Sequence, residues 1–348
     1  MLRAGGHLAR RRERAGQLLR LANAAVSIVG LRALGRRAAD RLLDAPCVAP
    51  GEAAIAGELD ALGGEVIRLR SRDGLRLAGR WLPADAGDTD WVSDPHEAIL
   101  VLHGYSGSVA PDLVEYAPFL RGTANVLGID FRGHGESDAG PSTFGMLEAE
   151  DIAGALAWLG ERGIRRVALC GTSMGGMAAI TAVAVLGDGR LGAADAAPDA
   201  TRADLDAPRP LIAAVVADSV SPEAELAVAN RVGAPTGRFL AARAFDSAAR
   251  RLGADPRDTE PIRVIGLVAP VPLLLINGEA DTTVPVEDAR RLAAAAGPTT
   301  ELWTVPGADH SRSHAVAAQD YERRVTDHLR MAFRTARDHD QRDEGRDL

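Results

Sequence analysis

No lysine occurs anywhere in the 348 residues; all 40 basic side chains are arginine. That absence excludes Schiff-base chemistry, a P-loop lysine, a Ser–Lys dyad and an S-x-x-K acyl-enzyme site. Arginine cannot substitute, because it stays protonated and serves neither as base nor as amine nucleophile. Aromatic residues are scarce at 4%, so stacking platforms for bases or sugars are not the main device. The two cysteines, Cys47 and Cys170, provide neither a disulfide framework nor metal-finger spacing. Cys170 sits in an apolar run and reads as a small core residue. No His/Cys/Asp/Glu cluster has metal-ligand spacing, so no metal or other cofactor is implied.

What is present is ordinary globular material, 46% hydrophobic and 25% charged, enough for a sizeable core. The charge is unevenly placed. Residues 1–46 hold ten arginines against Glu13, Asp40 and Asp44, a net of +7, so the rest of the chain carries −15 of the overall −8. A body that acidic argues against nucleic acid as a partner.

The basic start has its own logic. Its longest uncharged stretch, 21–31, is eleven residues bounded by Arg20 and Arg32, whereas a membrane span needs about 20 apolar residues. Asn23, Ser27 and Gly30 dilute the run, and Asp44-Ala45-Pro46 before Cys47 is a poor lipoprotein cleavage context. The expectation is therefore a cytoplasmic protein with an Arg-rich, partly helical extension over 1–63. Two readings of that extension stay open. It packs on the domain with solvated arginines, or it lies peripherally on an anionic membrane.

From residue 64 the periodicity changes. Residues 66–70 and 77–82 alternate apolar and polar around Asp73-Gly74, the pattern of a β-hairpin. Unbroken apolar runs at 98–102, 124–129, 167–170, 211–217 and 271–276, with a further strand at 301–305, suit parallel strands covered on both faces. Helical patterns at 113–120, 147–162, 174–186, 286–296 and 316–333 lie between them. The alternation predicts an α/β fold, a doubly wound and mostly parallel sheet of about eight strands, over 64–334. Residues 187–210 read as a mobile surface loop. Residues 221–264 form a small helical, cap-like insertion, with helices expected at 223–232 and 238–252. The polar, charged tail 335–348 is expected to be disordered.

The strand at 167–170 runs directly into Gly171-Thr172-Ser173-Met174-Gly175-Gly176 and then a helix. This is G-x-S-x-G in the context it requires, a strand, a sharp turn and a helix. Further motifs end the other strands: His103-Gly104-Tyr105 after 98–102, Asp130 to Ser137 after 124–129, Asn277 to Pro285 after 271–276, and Pro306 to Ser311 after 301–305. Ser173, Asp281 and His310 thus occur in the order Ser…Asp…His, each just past a strand's carboxyl end. Taken together, these residues closely resemble the α/β-hydrolase superfamily over roughly residues 64–334.

The resemblance implies Ser173 as nucleophile, His310 as its base and Asp281 as the acid that sets the imidazole tautomer. It implies an oxyanion hole built from the backbone N–H groups of Tyr105 and Met174. His314, four residues beyond His310, competes for the base, and Asp218, ending the 211–217 strand, competes for the acid. Asp309 should point away from the site. His103 and His134 read as structural hydrogen-bonders and Arg132 as a brace for their loop. The implied function is a serine hydrolase acting on a small-molecule carboxylic ester or thioester through an acyl-enzyme. The alternatives are a peptidase-like amide hydrolase and a non-catalytic binding protein on the same scaffold. An insertion of forty-odd residues makes a partial wall, which favours short acyl chains over long lipid chains.

Overall fold

Alternation at the start of the domain becomes a hairpin. Strand β1 (Glu65–Arg70) buries Ile67 and Leu69 and exposes the residues between them, and it pairs antiparallel with β2 (Arg76–Leu82). In the computed structural model, which describes residues 33–44, 52–85, 91–105, 107–187, 209–233 and 236–344, the unbroken apolar runs form the sheet's interior. These are β3 (Glu97–Leu102), β4 (Asn125–Ile129), β5 (Arg166–Thr172), β6 (Leu211–Asp218), β7 (Leu273–Gly278) and β8 (Thr300–Val305). Every residue of β3, β4 and β7 is buried, as expected of strands with helices on both faces. The eight strands lie in the order β1-β2-β4-β3-β5-β6-β7-β8. β2 runs antiparallel to β4, and from β4 to β8 all pairings are parallel.

Helices cover each face and close two cores. Before the sheet come α1 (33–43) and α2 (Glu52–Ala61). Those of more than one turn that follow are α3 (Ala110–Leu120), α4 (Glu148–Glu161), α5 (Met174–Leu186), α6 (Ala224–Val232), α7 (Gly237–Leu252), α8 (Val286–Ala296) and α9 (Ser313–Glu344). On one face Ile152, Leu156, Ile180, Val183 and Leu292 of α4, α5 and α8 pack against Leu100, Leu127, Leu169 and Leu275. On the other, Leu113, Val325 and Leu329 of α3 and α9 meet Ile99, Val126, Val216 and Ile276. Cys170 packs against the edge of that second core.

One segment departs from expectation. The tail from residue 335, expected to be disordered, continues α9 to Glu344, with a single break in helical geometry at Ala317. Tertiary contacts explain it. Ala336 is buried in the second core, Arg337 donates to Glu97 at 2.8 Å, and the Asp340 carboxylate meets Arg166. The last residues of the chain, the arginines before residue 33, Cys47 and most of the 187–210 loop fall outside the described residues. The end of the extension that is described packs on the domain. Ala39 and Leu43 of α1 meet Ala248 of α7, Leu42 enters the first core, and Arg251 pairs with Asp40 at 3.0 Å and Asp44 at 3.2 Å. No described helix is long and apolar enough to cross a membrane.

Candidate active site

The turn between β5 and α5 places Ser173 at φ 52°, ψ −113°. A non-glycine residue in that region costs on the order of 1–3 kcal/mol and persists only where its surroundings enforce it. Its neighbours show why they are glycines. A Cβ on Gly171 would stand 2.3 Å from the Gly175 carbonyl carbon, and one on Gly175 would stand 2.1 Å from the Leu102 carbonyl oxygen. Either contact would force the turn apart. The Ser173 amide donates to the Asp218 carbonyl at 2.8 Å, tying the turn to the neighbouring strand.

Parallel strands bring three distant residues to one edge of the sheet. The Ser173 hydroxyl donates to His310 Nε2 at 3.0 Å, and His310 Nδ1–H donates to Asp281 Oδ2 at 2.8 Å. A carboxylate can only accept, so the proton lies on Nδ1 and leaves Nε2 free to accept. The Asp281 side chain is fully buried. Its other oxygen accepts from the amides of Thr283 at 2.8 Å and Val284 at 2.7 Å, which fixes its orientation. Asp309 is exposed and accepts from the His310 amide at 2.8 Å.

The two competitors lie elsewhere. His314 places its ring nitrogens against Glu115 at 2.9 Å and Glu322 at 3.1 Å. Those carboxylates hold its pKa above the ordinary value, Glu115 most strongly. Asp218 is buried one strand from Asp281, and its Oδ1 accepts from the Ser219 hydroxyl at 2.9 Å and the Ser313 hydroxyl at 3.1 Å. Ser219 in turn accepts from the Ser311 amide at 2.9 Å. Asp218 therefore holds the loop that carries His310 rather than the imidazole itself. Ser219, Ser311 and Ser313 were not singled out from sequence. Serines beside loops are too common to carry a signal, although Ser219 at φ 58° and Ser311 at φ 55° share the left-handed backbone seen at Ser173.

The loop after β3 lies directly against the turn that carries Ser173. A Cβ on Gly104 would be 3.6 Å from Ser173 Cβ. His103 locks this loop by donating from Nδ1 to Gly104 O at 2.7 Å and accepting at Nε2 from the Phe131 amide at 3.0 Å. Burial pushes its pKa down to about 3, with the His134 charge adding to the shift, so it stays neutral. His134 bonds the Arg132 carbonyl through Nδ1. Buried Arg132 spans Asp151 at 2.7 Å and Asp73 at 2.8 Å, bracing the loop after β4. Met174 opens α5, where helix geometry leaves its amide without an internal acceptor.

Ser173 opens into a pocket of about 810 Å³. Its walls include Tyr105, Phe144 and Met177 of the main domain, Ala227, Val228, Leu240 and Ala244 of the insertion, and Leu34, Ala38 and Leu42 of α1. The contribution of α1 was invisible in the sequence, because nothing local marks residues 33–43 as a neighbour of residue 173. Tyr105 secures it by donating its hydroxyl to the carbonyls of Arg41 at 2.8 Å and Leu42 at 3.1 Å.

A family model described as Alpha/beta hydrolase family matches residues 99–324. Among curated proteins, the chain is similar to the uncharacterized protein YfhR of Escherichia coli O157:H7, 26% identical over 254 residues, or 72% of this chain and 75% of that one. It is also similar to the uncharacterized protein Rv2307c of Mycobacterium tuberculosis, 29% identical over 254 residues, or 71% and 73%. Among solved structures, the Pyrococcus furiosus esterase Pf2001 superimposes with a TM-score of 0.59 at 22% identity, covering 83% of this chain and 98% of that one. A membrane phospholipase A superimposes with a TM-score of 0.51 at 17% identity, covering 92% and 99%. At such identities the structural likeness shows a shared fold.

Proposed function

Because this chain belongs to the alpha/beta hydrolase family, we propose that it is a serine hydrolase cleaving a carboxylic ester or thioester through an acyl-enzyme. The observation that carries the reading is the unbroken chain Asp281–His310–Ser173, with bonds of 2.8 and 3.0 Å, at the floor of a mainly apolar pocket. An esterase among the fold neighbours performs chemistry of the same kind.

In this reading Ser173 Oγ attacks the substrate carbonyl carbon while His310 Nε2 takes the hydroxyl proton. The negative charge that develops on the carbonyl oxygen is met by the amides of Tyr105 and Met174. One such donor supplies about 2.7–4 kcal/mol in the transition state. Asp281 stabilises the imidazolium and keeps its tautomer. As the tetrahedral intermediate collapses, the bond to the leaving oxygen or sulfur breaks, and His310 Nε2–H protonates that atom. Water then adds to the acyl carbon, giving its proton to Nε2, and collapse releases the acid and returns the proton to Ser173. The positive-φ turn supports this role, since its strain holds Oγ clear of the sheet and within reach of the imidazole.

The test is labelling with a fluorophosphonate probe alongside turnover of p-nitrophenyl esters, with thioester and amide controls. Wild-type protein should label and turn over esters. Ser173→Ala should lose the label and several orders of magnitude in turnover while remaining folded. Near-wild-type turnover by the alanine variant would overturn the serine mechanism.

A further inference from the structure

The pocket is apolar within and basic at its rim. On α1, Leu34, Arg37, Ala38, Arg41 and Leu42 recur at helical spacing and form one stripe along the pocket wall. Ala39 and Leu43 face the other way, onto Ala248. Arg231, in the last turn of α6, lines the same opening. All three arginines are exposed, so their charged heads stand at the mouth rather than in the depth. Among the described residues, none of them has a carboxylate within ion-pair distance. The one acidic residue in the lining, Asp40, is engaged by Arg251 at 3.0 Å.

This arrangement runs against the net charge of the chain. The protein carries 48 acidic residues against 40 basic ones, and some of its other arginines do find carboxylates, as in Arg76–Asp138 and Arg121–Asp85. Two arginines four residues apart on one helix face repel each other unless an anion lies between them. A guanidinium presents a fork of donors matched to carboxylate or phosphate oxygens. The Arg231 charge also reaches Tyr105, beside the candidate nucleophile.

We propose that the ester taken by this pocket is an anionic amphiphile, an apolar chain bearing a phosphate or carboxylate, whose anion is held at the mouth by Arg37, Arg41 and Arg231 while the chain lies among Phe144, Met177 and Val228. The inference rests on the reading of Ser173 as the nucleophile of this pocket, and its test separates the two.

Binding is measured by calorimetry on the full-length Ser173→Ala protein, which cannot turn substrate over. The probes are 1-octanoylglycerol 3-phosphate and the neutral 1-octanoylglycerol, both monomeric and at low ionic strength. The phosphate ester should bind about tenfold more tightly, as expected of several exposed ion pairs acting together. Replacing Arg41→Gln and Arg231→Gln together should erase that preference, and each alone should reduce it about threefold. The preference should also fall between 0.1 and 1 M salt, as the Debye length shrinks from about 10 to about 3 Å. Equal or weaker binding of the phosphate ester, or a preference untouched by the double variant, would overturn the proposal. Turnover of the two esters by wild-type protein separates the readings. Hydrolysis of both at equal efficiency keeps the serine mechanism and sinks the anion site, whereas tight phosphate binding without hydrolysis keeps the anion site and sinks the mechanism.

Discussion

The amino ends of β3 and β5 and the carboxyl ends of β6 and β7 handle buried charge in opposite ways. At the amino ends of the strands, Glu97 of β3 is fully buried and is met by Arg166 of β5 at 3.0 Å and Arg337 of α9 at 2.8 Å. Asp94 adds a further pair to Arg166 at 2.7 Å. At the carboxyl ends, Asp218 and Asp281 are equally buried, but no arginine pairs with either among the described residues. Asp218 is held by hydroxyls, and Asp281 by two amides and an imidazole. A carboxylate already matched to arginine has no unmet demand and serves as a rivet. A carboxylate held by neutral donors beside a titratable ring can still respond when that ring gains a proton. The strand ends with carboxylates that no arginine compensates, those of β6 and β7, are therefore where chemistry is expected.

The comparison breaks most sharply at Asp281. Asp281→Asn should lower ester turnover by about 10⁴-fold, by analogy with the triad aspartate of serine proteases. Asp218→Asn, one strand away, should cost far less. Steady-state kinetics on both variants decides it, and the reverse ranking would move the acid to Asp218. At the amino ends of β3 and β5 Arg166→Met should lose about 3–5 kcal/mol of stability, because Glu97 and Asp94 lose a partner, while turnover per folded molecule stays near wild type. Denaturant unfolding together with kinetics reads both. A severe kinetic defect without destabilisation would contradict the division between the two sets of strand ends.

A third test uses pH. Burial raises the Asp218 pKa from 3.8 to about 6, against the opposing hydrogen bonds of Ser219 and Ser313. The unfolded chain therefore gives up this proton first as pH rises. Between about pH 4 and 6 the native state holds more protons, so this residue's contribution to stability falls by up to about 3 kcal/mol. Denaturation of wild type and Asp218→Asn at pH 4.5 and 7.5 should show the variant gaining relative stability at the higher pH, and no relative change would contradict it. The smallest effect is at His314. Its pKa is raised by Glu115 and Glu322, so its stabilisation is complete below about pH 6.5 and is lost as pH rises through the elevated value. These carboxylates are 36% and 44% exposed, and His314→Gln should cost less than about 1 kcal/mol at pH 6. The cost, read by denaturant unfolding, should shrink as the pH is raised through that elevated value.

Much of this was legible because the relevant signals are local. The unbroken run around Leu100 and the elbow Gly171–Gly176 mark a buried strand and a strained turn wherever they occur, and the sheet confirms both. The segment that misled lacks such a local signal. Residues 335–344 are almost all polar, which reads as a solvated tail. They are helical because Arg337 and Asp340 find Glu97 and Arg166 more than 170 residues earlier in the chain. The extension before residue 46 stood out for its charge, while its described end matters for the wall it adds to the pocket.

By itself the sequence determined the alternation of strands and helices, the parallel sheet and the identity of Ser173, Asp281 and His310 as candidates. Hydrophobic period and turn chemistry are properties of neighbouring residues, so they survive in one dimension. Only the tertiary structure decided that His310 meets Asp281 rather than Asp218, that His314 faces two glutamates, and that α1 and its arginines border the pocket. Each of those outcomes depends on which strand ends and helices become neighbours in space, and on whether a side chain separated by tens or hundreds of residues arrives within about 3 Å.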